Sequence, residues 1–101
     1  MISVTETIDS AETWTDAFVP PSNPRLTNHG RFAVSVAPDA SFDGTVTLQR
    51  RFGDSDGWKV VDTYTAAEES NRVDTVIGVQ YRIGIDTGDI SAGEVVVRLA
   101  K

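Results

Sequence analysis

Thirty of the 101 residues are Val, Ile or Thr, while only three are Leu. Branching at Cβ stiffens χ1 and suits a pleated strand better than a helix. No segment sustains a 3.6-residue hydrophobic period. The nearest candidate, Ala66-Ala67-Glu68-Glu69, is too brief to stand as a helix without support. Period-two alternation runs through most of the rest, and together these features dictate an all-β fold.

The alternation can be followed along the chain. Ala11 to Phe18 places Trp14 and Phe18 on one face and Thr13, Thr15 and Ala17 on the other. Pro20-Pro21-Ser22-Asn23-Pro24 then blocks regular pairing, because three prolines remove three donors. In Gly30 to Ala37, Phe32, Val34 and Val36 oppose Ala33 and Ser35, and Pro38-Asp39 begins a turn. Asp43-Gly44 opens a strand in which Val46, Leu48, Arg50 and Phe52 share a face. Gly53-Asp54-Ser55-Asp56-Gly57 reads as the turn of a β-hairpin, and its return strand sets Trp58, Val60 and Tyr64 on one side. A short strand is expected around Arg72 to Ile77. Val79, Tyr81, Ile83 and Ile85 alternate with Gln80, Arg82, Gly84 and Asp86, and Thr87-Gly88-Asp89 turns the chain. Val95, Val97 and Leu99 finish it, with Glu94 and Arg98 outward.

About seven strands at a spacing of roughly 8–12 residues predict an antiparallel β-sandwich, immunoglobulin- or fibronectin-like. Residues 1–10, rich in Thr, Ser and acid, are expected to form a flexible N-terminal arm, and residues 11–101 a single sandwich domain. The expected core is Trp14, Phe32, Leu48, Trp58, Tyr81, Ile83, Val95 and Val97.

Charge and composition narrow the function. A formal charge of -6 disfavours binding to a nucleic-acid backbone. No apolar run approaches the roughly 18 residues of a membrane span. With no cysteine, disulfides, thiolate catalysis and Cys-ligated zinc are absent. Met1-Ile2-Ser3-Val4-Thr5-Glu6 lacks the basic start and apolar stretch of a signal peptide, so an untargeted intracellular product is expected.

The candidate chemical groups read mostly as structural. His29, the one histidine, sits in Asn28-His29-Gly30 at a loop-to-strand junction, and no Gly-x-Ser-x-Gly elbow exists to make it part of a triad. Asp54-Ser55-Asp56-Gly57 begins like a calcium loop, but Thr65 stands where the closing bidentate Glu is needed. A looser calcium site at Asp54 and Asp56 competes with a plain turn, where Asp and Gly cap local amides. Asp43, Asp62, Asp86 and Asp89 fall mostly in turns, with little room for the paired carboxyls of a glycosidase. Arg50 is expected to snorkel at the core rim or pair with Asp62, and Arg82 and Arg98 to form cross-strand charge pairs near Asp86 and Glu94. Phe18, Phe42, Phe52 and Tyr64 are weighed as a sugar-stacking platform, against burial at the core rim. No catalytic residue, metal or cofactor is expected.

One longer pattern adds to this reading. It comprises Thr13-Trp14-Thr15-Asp16, Phe42-Asp43-Gly44-Thr45-Val46-Thr47-Leu48-Gln49-Arg50-Arg51-Phe52, Trp58, Val61-Asp62-Thr63-Tyr64-Thr65-Ala66, Gly78-Val79-Gln80-Tyr81-Arg82-Ile83-Gly84, Thr87 to Gly93 and the strand Val95 to Leu99. In this order it resembles a family of small tailed-bacteriophage proteins of about this length, often without an assigned role, some of which resemble virion β-sandwich subunits of decoration or fibre type. The resemblance implies a non-enzymatic virion protein that docks on a major capsid or tail protein, self-associates, as a trimer by analogy with decoration proteins, and is made in the host cytoplasm. The alternative is a carbohydrate-binding or adhesion module of fibronectin-like type. Ser55-Asp56-Gly57-Trp58 is also similar to a contracted sialidase-type Asp box, a motif that shapes a hairpin and does not catalyse.

Overall fold

A computed structural model describes residues 3–21 and 29–101. Met1, Ile2, Asn28 and the Ser22–Pro24 part of the proline-rich loop lie outside the described residues. The chain is all-β, with ten strands among the described residues: β1 (Ser3–Ile8), β2 (Thr13–Trp14), β3 (Arg31–Pro38), β4 (Asp43–Gly44), β5 (Val46–Arg51), β6 (Lys59–Tyr64), β7 (Glu68–Val73), β8 (Gln80–Ile85), β9 (Ile90–Ala92) and β10 (Val95–Ala100). Every pairing is antiparallel. One sheet has the order β1-β10-β3-β7, the second β2-β8-β5-β6, and β4 and β9 form a small ribbon.

The two four-stranded sheets pack as a β-sandwich. Val34, Val36, Val95, Val97 and Leu99 from the first meet Val46, Leu48, Ile83 and Ile85 from the second, all essentially without solvent exposure. Phe32 sits between Phe18 and Tyr81, with ring centroids 5.7 and 4.7 Å away. Phe32, Leu48, Tyr81, Ile83, Val95 and Val97 are therefore core residues, as their alternation predicts. The strand order departs from an immunoglobulin sandwich. There the last strand lies beside the penultimate one; here β10 lies between β1 and β3 in the opposite sheet from β8.

Three expectations need correction. Residues 3–8 are not a flexible arm: β1 pairs with β10 over six residues, and Ile8 is fully buried opposite Val95. Glu6 hides this strand from the sequence, because it occupies an inward position opposite Val97 where the pattern calls for an apolar residue. An inward charge on an edge strand also opposes pairing with a stray strand. The strand expected at Arg72 to Ile77 lies earlier, at Glu68–Val73, and includes two residues of the short stretch weighed as helical.

The third correction concerns both tryptophans. Trp14 pairs with Gly84, but Phe18 pairs with Tyr81, so four steps of one strand face three of the other. In β5–β6, Leu48 faces Asp62 while Gln49 faces Val60, which leaves Val61 as an extra residue. One extra residue reverses every side chain beyond it. Phe18 and Tyr64 point into the core, whereas Trp14 and Trp58 emerge half-buried on the outer face of the second sheet. Gly84 makes this possible at β2: a side chain there would collide with the Thr13 carbonyl and stand 2.8 Å from the Trp14 Cα.

Candidate functional site

A short turn carries the chain from β6 in one sheet to β7 in the other. The two strands are thus edges of different sheets on the same side of the sandwich. Polar side chains bridge them. Arg72 on β7 donates to the Asp62 carboxylate on β6, and its Nη2 also donates to the Tyr64 hydroxyl at 3.2 Å. The Arg72 Nε is buried and has no partner. Burial pushes the Tyr64 phenol up from its ordinary pKa. Burial alone lowers a guanidinium's pKa, but Tyr64 and Asp62 outweigh it at Arg72 and raise the net value.

A second cluster closes the lower end of this side. Arg50 Nε donates to Asp74 Oδ2 at 2.6 Å, the Tyr81 hydroxyl donates to the same oxygen at 2.7 Å, and the Val76 amide donates to Oδ1 at 3.1 Å. Arg50 therefore pairs with Asp74 and not with Asp62, which is taken by Arg72. Burial, reinforced by the adjacent Asp74 carboxylate, pushes the Tyr81 phenol up to about 12. At Asp74 burial acts upward too, but the bonds from Arg50 and Tyr81 prevail and hold the carboxyl below its usual range.

Apolar side chains that face solvent flank this cluster along the chain and beside Arg50. Eight large hydrophobic residues are exposed among the described residues; Phe52, Val60 and Val61 line one depression beside Arg50, and Val73, Val76 and Ile77 flank Asp74 in the chain. Ile77 is 67%, Val73 63%, Val60 60% and Phe52 58% exposed. The Arg50 guanidinium stacks 4.4 Å from the Phe52 ring centre, so one arginine links the apolar rim to the Asp74 cluster. A depression of about 400 Å³ opens between Phe52, Val60, Val61 and the basic side chains of Arg50, Arg51 and Lys59. Grouped apolar exposure of this kind marks an interaction surface.

The outer face of the second sheet carries a different arrangement. The Arg82 guanidinium lies 4.1 Å from the Trp14 ring centre and 4.7 Å from that of Trp58, and Arg51 covers Trp58 at 4.4 Å. Arg82 Nε donates to Gln49 at 2.7 Å, Arg51 Nε to Gln80 at 2.7 Å, and Gln80 in turn to Asp54 at 2.8 Å. This layer explains why Thr47 and Gln49 are buried on a face expected to be wet. Burial and the neighbouring Arg51 charge lower the pKa of Arg82. Trp14 and Trp58 are the only tryptophans, so fluorescence reports this ladder alone. Arg82→Ala is expected to red-shift the emission, increase acrylamide quenching and cost about 1–2 kcal/mol through two lost cation–π contacts and the Gln49 bond. Unchanged emission would show that the rings are not covered by the guanidinium.

The other candidates are dispersed. Asp54 is engaged by Gln80 and Arg51 at the hairpin tip. Asp43 accepts from Ser91, and Asp86 from the Thr87 amide. No group of three His, Asp or Glu side chains arranged to hold a metal occurs among the described residues. His29 is half-buried, and its Nδ1 has no partner. Phe18 and Tyr64 are buried and Phe42 is half-buried, so these three do not join Phe52 in an exposed platform. Arg82 is held between two rings and also feels the Asp86 charge, and Arg98 stands on the outer face of the first sheet opposite Thr5 and Ser35. No family model, curated protein or solved structure matches the chain. Asp74, Arg72 and Arg51 escape a sequence reading because their partners are set by tertiary approach, with Arg50 and Asp74 24 residues apart.

Proposed function

We propose that this chain is a non-enzymatic structural subunit that docks on a larger particle. The particle is a tailed-phage virion, and the docking partner its major capsid or tail protein. One observation carries the docking reading: exposed Phe52, Val60 and Val61 line a depression beside Arg50, whose partner Asp74 is followed in the chain by exposed Val76 and Ile77. The phage assignment rests on the sequence resemblance. A rigid sandwich with an apolar patch and an acidic exterior suits assembly on a particle that packages nucleic acid, since its charge repels phosphate. Many copies on a symmetric lattice turn a modest contact into firm attachment.

The test has two parts. Purified particles of the parent phage should contain the chain by mass spectrometry, and their lack of it would end the virion reading. Val60→Lys combined with Ile77→Lys should leave the circular-dichroism spectrum unchanged and reduce co-sedimentation with particles at least tenfold, the equivalent of about 1.4 kcal/mol. Undiminished co-sedimentation would place docking elsewhere.

A second reading, a sugar-binding or adhesion module, has support from Trp14 and Trp58 on one outer face, with Gln49, Gln80 and Asp54 beside them. It ranks second because the Arg82 guanidinium occupies the position between the rings that a stacked sugar would need. Saturable tryptophan fluorescence changes across a glycan panel would reverse that order.

A further inference from the structure

The free edge of β7 is self-complementary. β3 pairs with one side of β7, and among the described residues no strand pairs with the other. We infer that a second copy of this chain adds there, β7 against β7, about a twofold axis through Ser70. The result is an eight-stranded sheet shared by two sandwiches.

The register follows from symmetry and charge. A twofold axis normal to a sheet keeps the inner faces of both copies on the same side. Facing residues must then share a face, so the axis passes through a residue and not between two. Centred on Glu68, Glu69 or Arg72, the pairing sets a charge against its own copy. Centred on Asn71, it sets Glu68 against Asp74. Centred on Ser70, it sets Glu68 against Arg72 of the other copy, Glu69 against Asn71, and Ser70 against itself. Centred on Val73, it sets Arg72 against Asp74, a carboxylate already held by Arg50 and Tyr81, and pairs only the end of the strand. Of the six, the Ser70 register alone pairs opposite charges within the strand, and it does so twice by symmetry.

Both members of that pair point inward from β7. They lie at the β3 register positions of Val36 and Phe32, which are core residues. Directly facing residues have Cβ atoms about 4.5–5.5 Å apart, close enough for a Glu–Arg ion pair. Arg72 uses one nitrogen for both Asp62 and Tyr64, and its Nε is buried without a partner in the single chain. A carboxylate arriving from the other copy supplies an acceptor on that side. Backbone pairing works with either alternation, because in an antiparallel ladder a residue and its own copy form a hydrogen-bonded or a non-hydrogen-bonded pair equally well.

The β6 edge is a poorer template. The extra residue Val61 interrupts it, and bulges on edge strands oppose pairing. The β7 ladder has six residues and spans about 20 Å. Alone it buries less than the ~800 Å² per partner of a standard interface, so the dimer depends on concentration. It also deepens the docking proposal, by fixing two apolar patches on one rigid body.

Sedimentation equilibrium of the purified chain, without particles, tests the inference. The wild type should move from monomer to dimer with rising concentration. Glu68→Lys and Arg72→Glu, each alone, set like charges against each other twice and should raise the dimer Kd more than about tenfold. An equimolar mixture of the two variants restores two opposite pairs in the heterodimer and should recover the wild-type Kd. Far-UV circular dichroism and thermal melts confirm that each variant is folded. A wild type that stays monomeric up to millimolar concentration or forms a trimer, or a mixture that fails to recover, would overturn the twofold edge pairing. Particle docking has a separate readout, because the monomeric Glu68→Lys variant keeps its apolar patch and can still be tested against particles.

Discussion

Replacing Phe32 with Ala is expected to lower the free energy of unfolding by about 3–5 kcal/mol, the cost of emptying an aromatic site in a packed core. Phe32 is 3% exposed and lies between Phe18 and Tyr81, so its removal loosens contacts between the two sheets, not only within one. Domains of this kind hold roughly 5–15 kcal/mol in all. The variant therefore stands at the margin of folding. Trp58→Ala, by contrast, removes a half-buried ring from the outer face, where its chief partners are the Arg51 and Arg82 guanidinia. Its expected cost is about 1–2 kcal/mol. Urea unfolding followed by far-UV circular dichroism measures both on one scale. Equal losses would mean that Trp58 packs in the core after all, and that the β6 bulge does not reverse it.

That contrast marks how far the sequence is legible. Val34, Val36, Leu48, Ile83, Val95 and Val97 obey strict alternation, and all are buried. Periodicity carries such information because a strand without irregularities preserves facing from end to end. It fails where one residue is added. Nothing in Trp58-Lys59-Val60-Val61-Asp62 announces that Val61 is the extra residue, since either valine suits a strand. β1 fails for another reason: Glu6 breaks the apolar pattern, and the strand is recognisable only once β10 is there to pair with it. The candidate surface is half visible in the sequence. Alternation puts Phe52 and Arg50 on one face, and that pair does meet. The Arg50–Asp74 pair does not follow from alternation, because ion pairs across sheets depend on which edges the topology brings together.

Asp74→Ala should cost about 3 kcal/mol, because it strands the Arg50 guanidinium and the Tyr81 hydroxyl without an acceptor. The Asp74 side chain is only 8% exposed, so water replaces it poorly. Asp74→Asn keeps an acceptor oxygen but loses the charge, and should fall between the wild type and Asp74→Ala. The pH dependence follows from the lowered carboxyl pKa. In the unfolded chain Asp74 titrates near 3.9; in the fold the Arg50 and Tyr81 bonds, working against burial, hold it lower. As the pH falls, the unfolded state takes up the proton first, so the contribution of Asp74 is complete above the unfolded value and disappears as the pH drops through the folded one. The gap between wild type and Asp74→Asn should be widest near neutrality and narrow below about pH 4. At the alkaline end the sign is reversed. Tyr81 titrates near 12 in the fold against 10.0 ordinarily, so its contribution is whole below pH 10.0 and is lost as the pH rises toward 12. Phenolate absorbance at alkaline pH reads this directly. Both tyrosines have raised values in the fold, so ionisation should lag behind that of urea-unfolded chain. Asp74→Ala should shorten the lag at Tyr81, because the carboxylate beside the phenol is gone while Arg50 remains. An identical titration in the variant would show that Asp74 and Tyr81 do not share the bond on which the cluster depends.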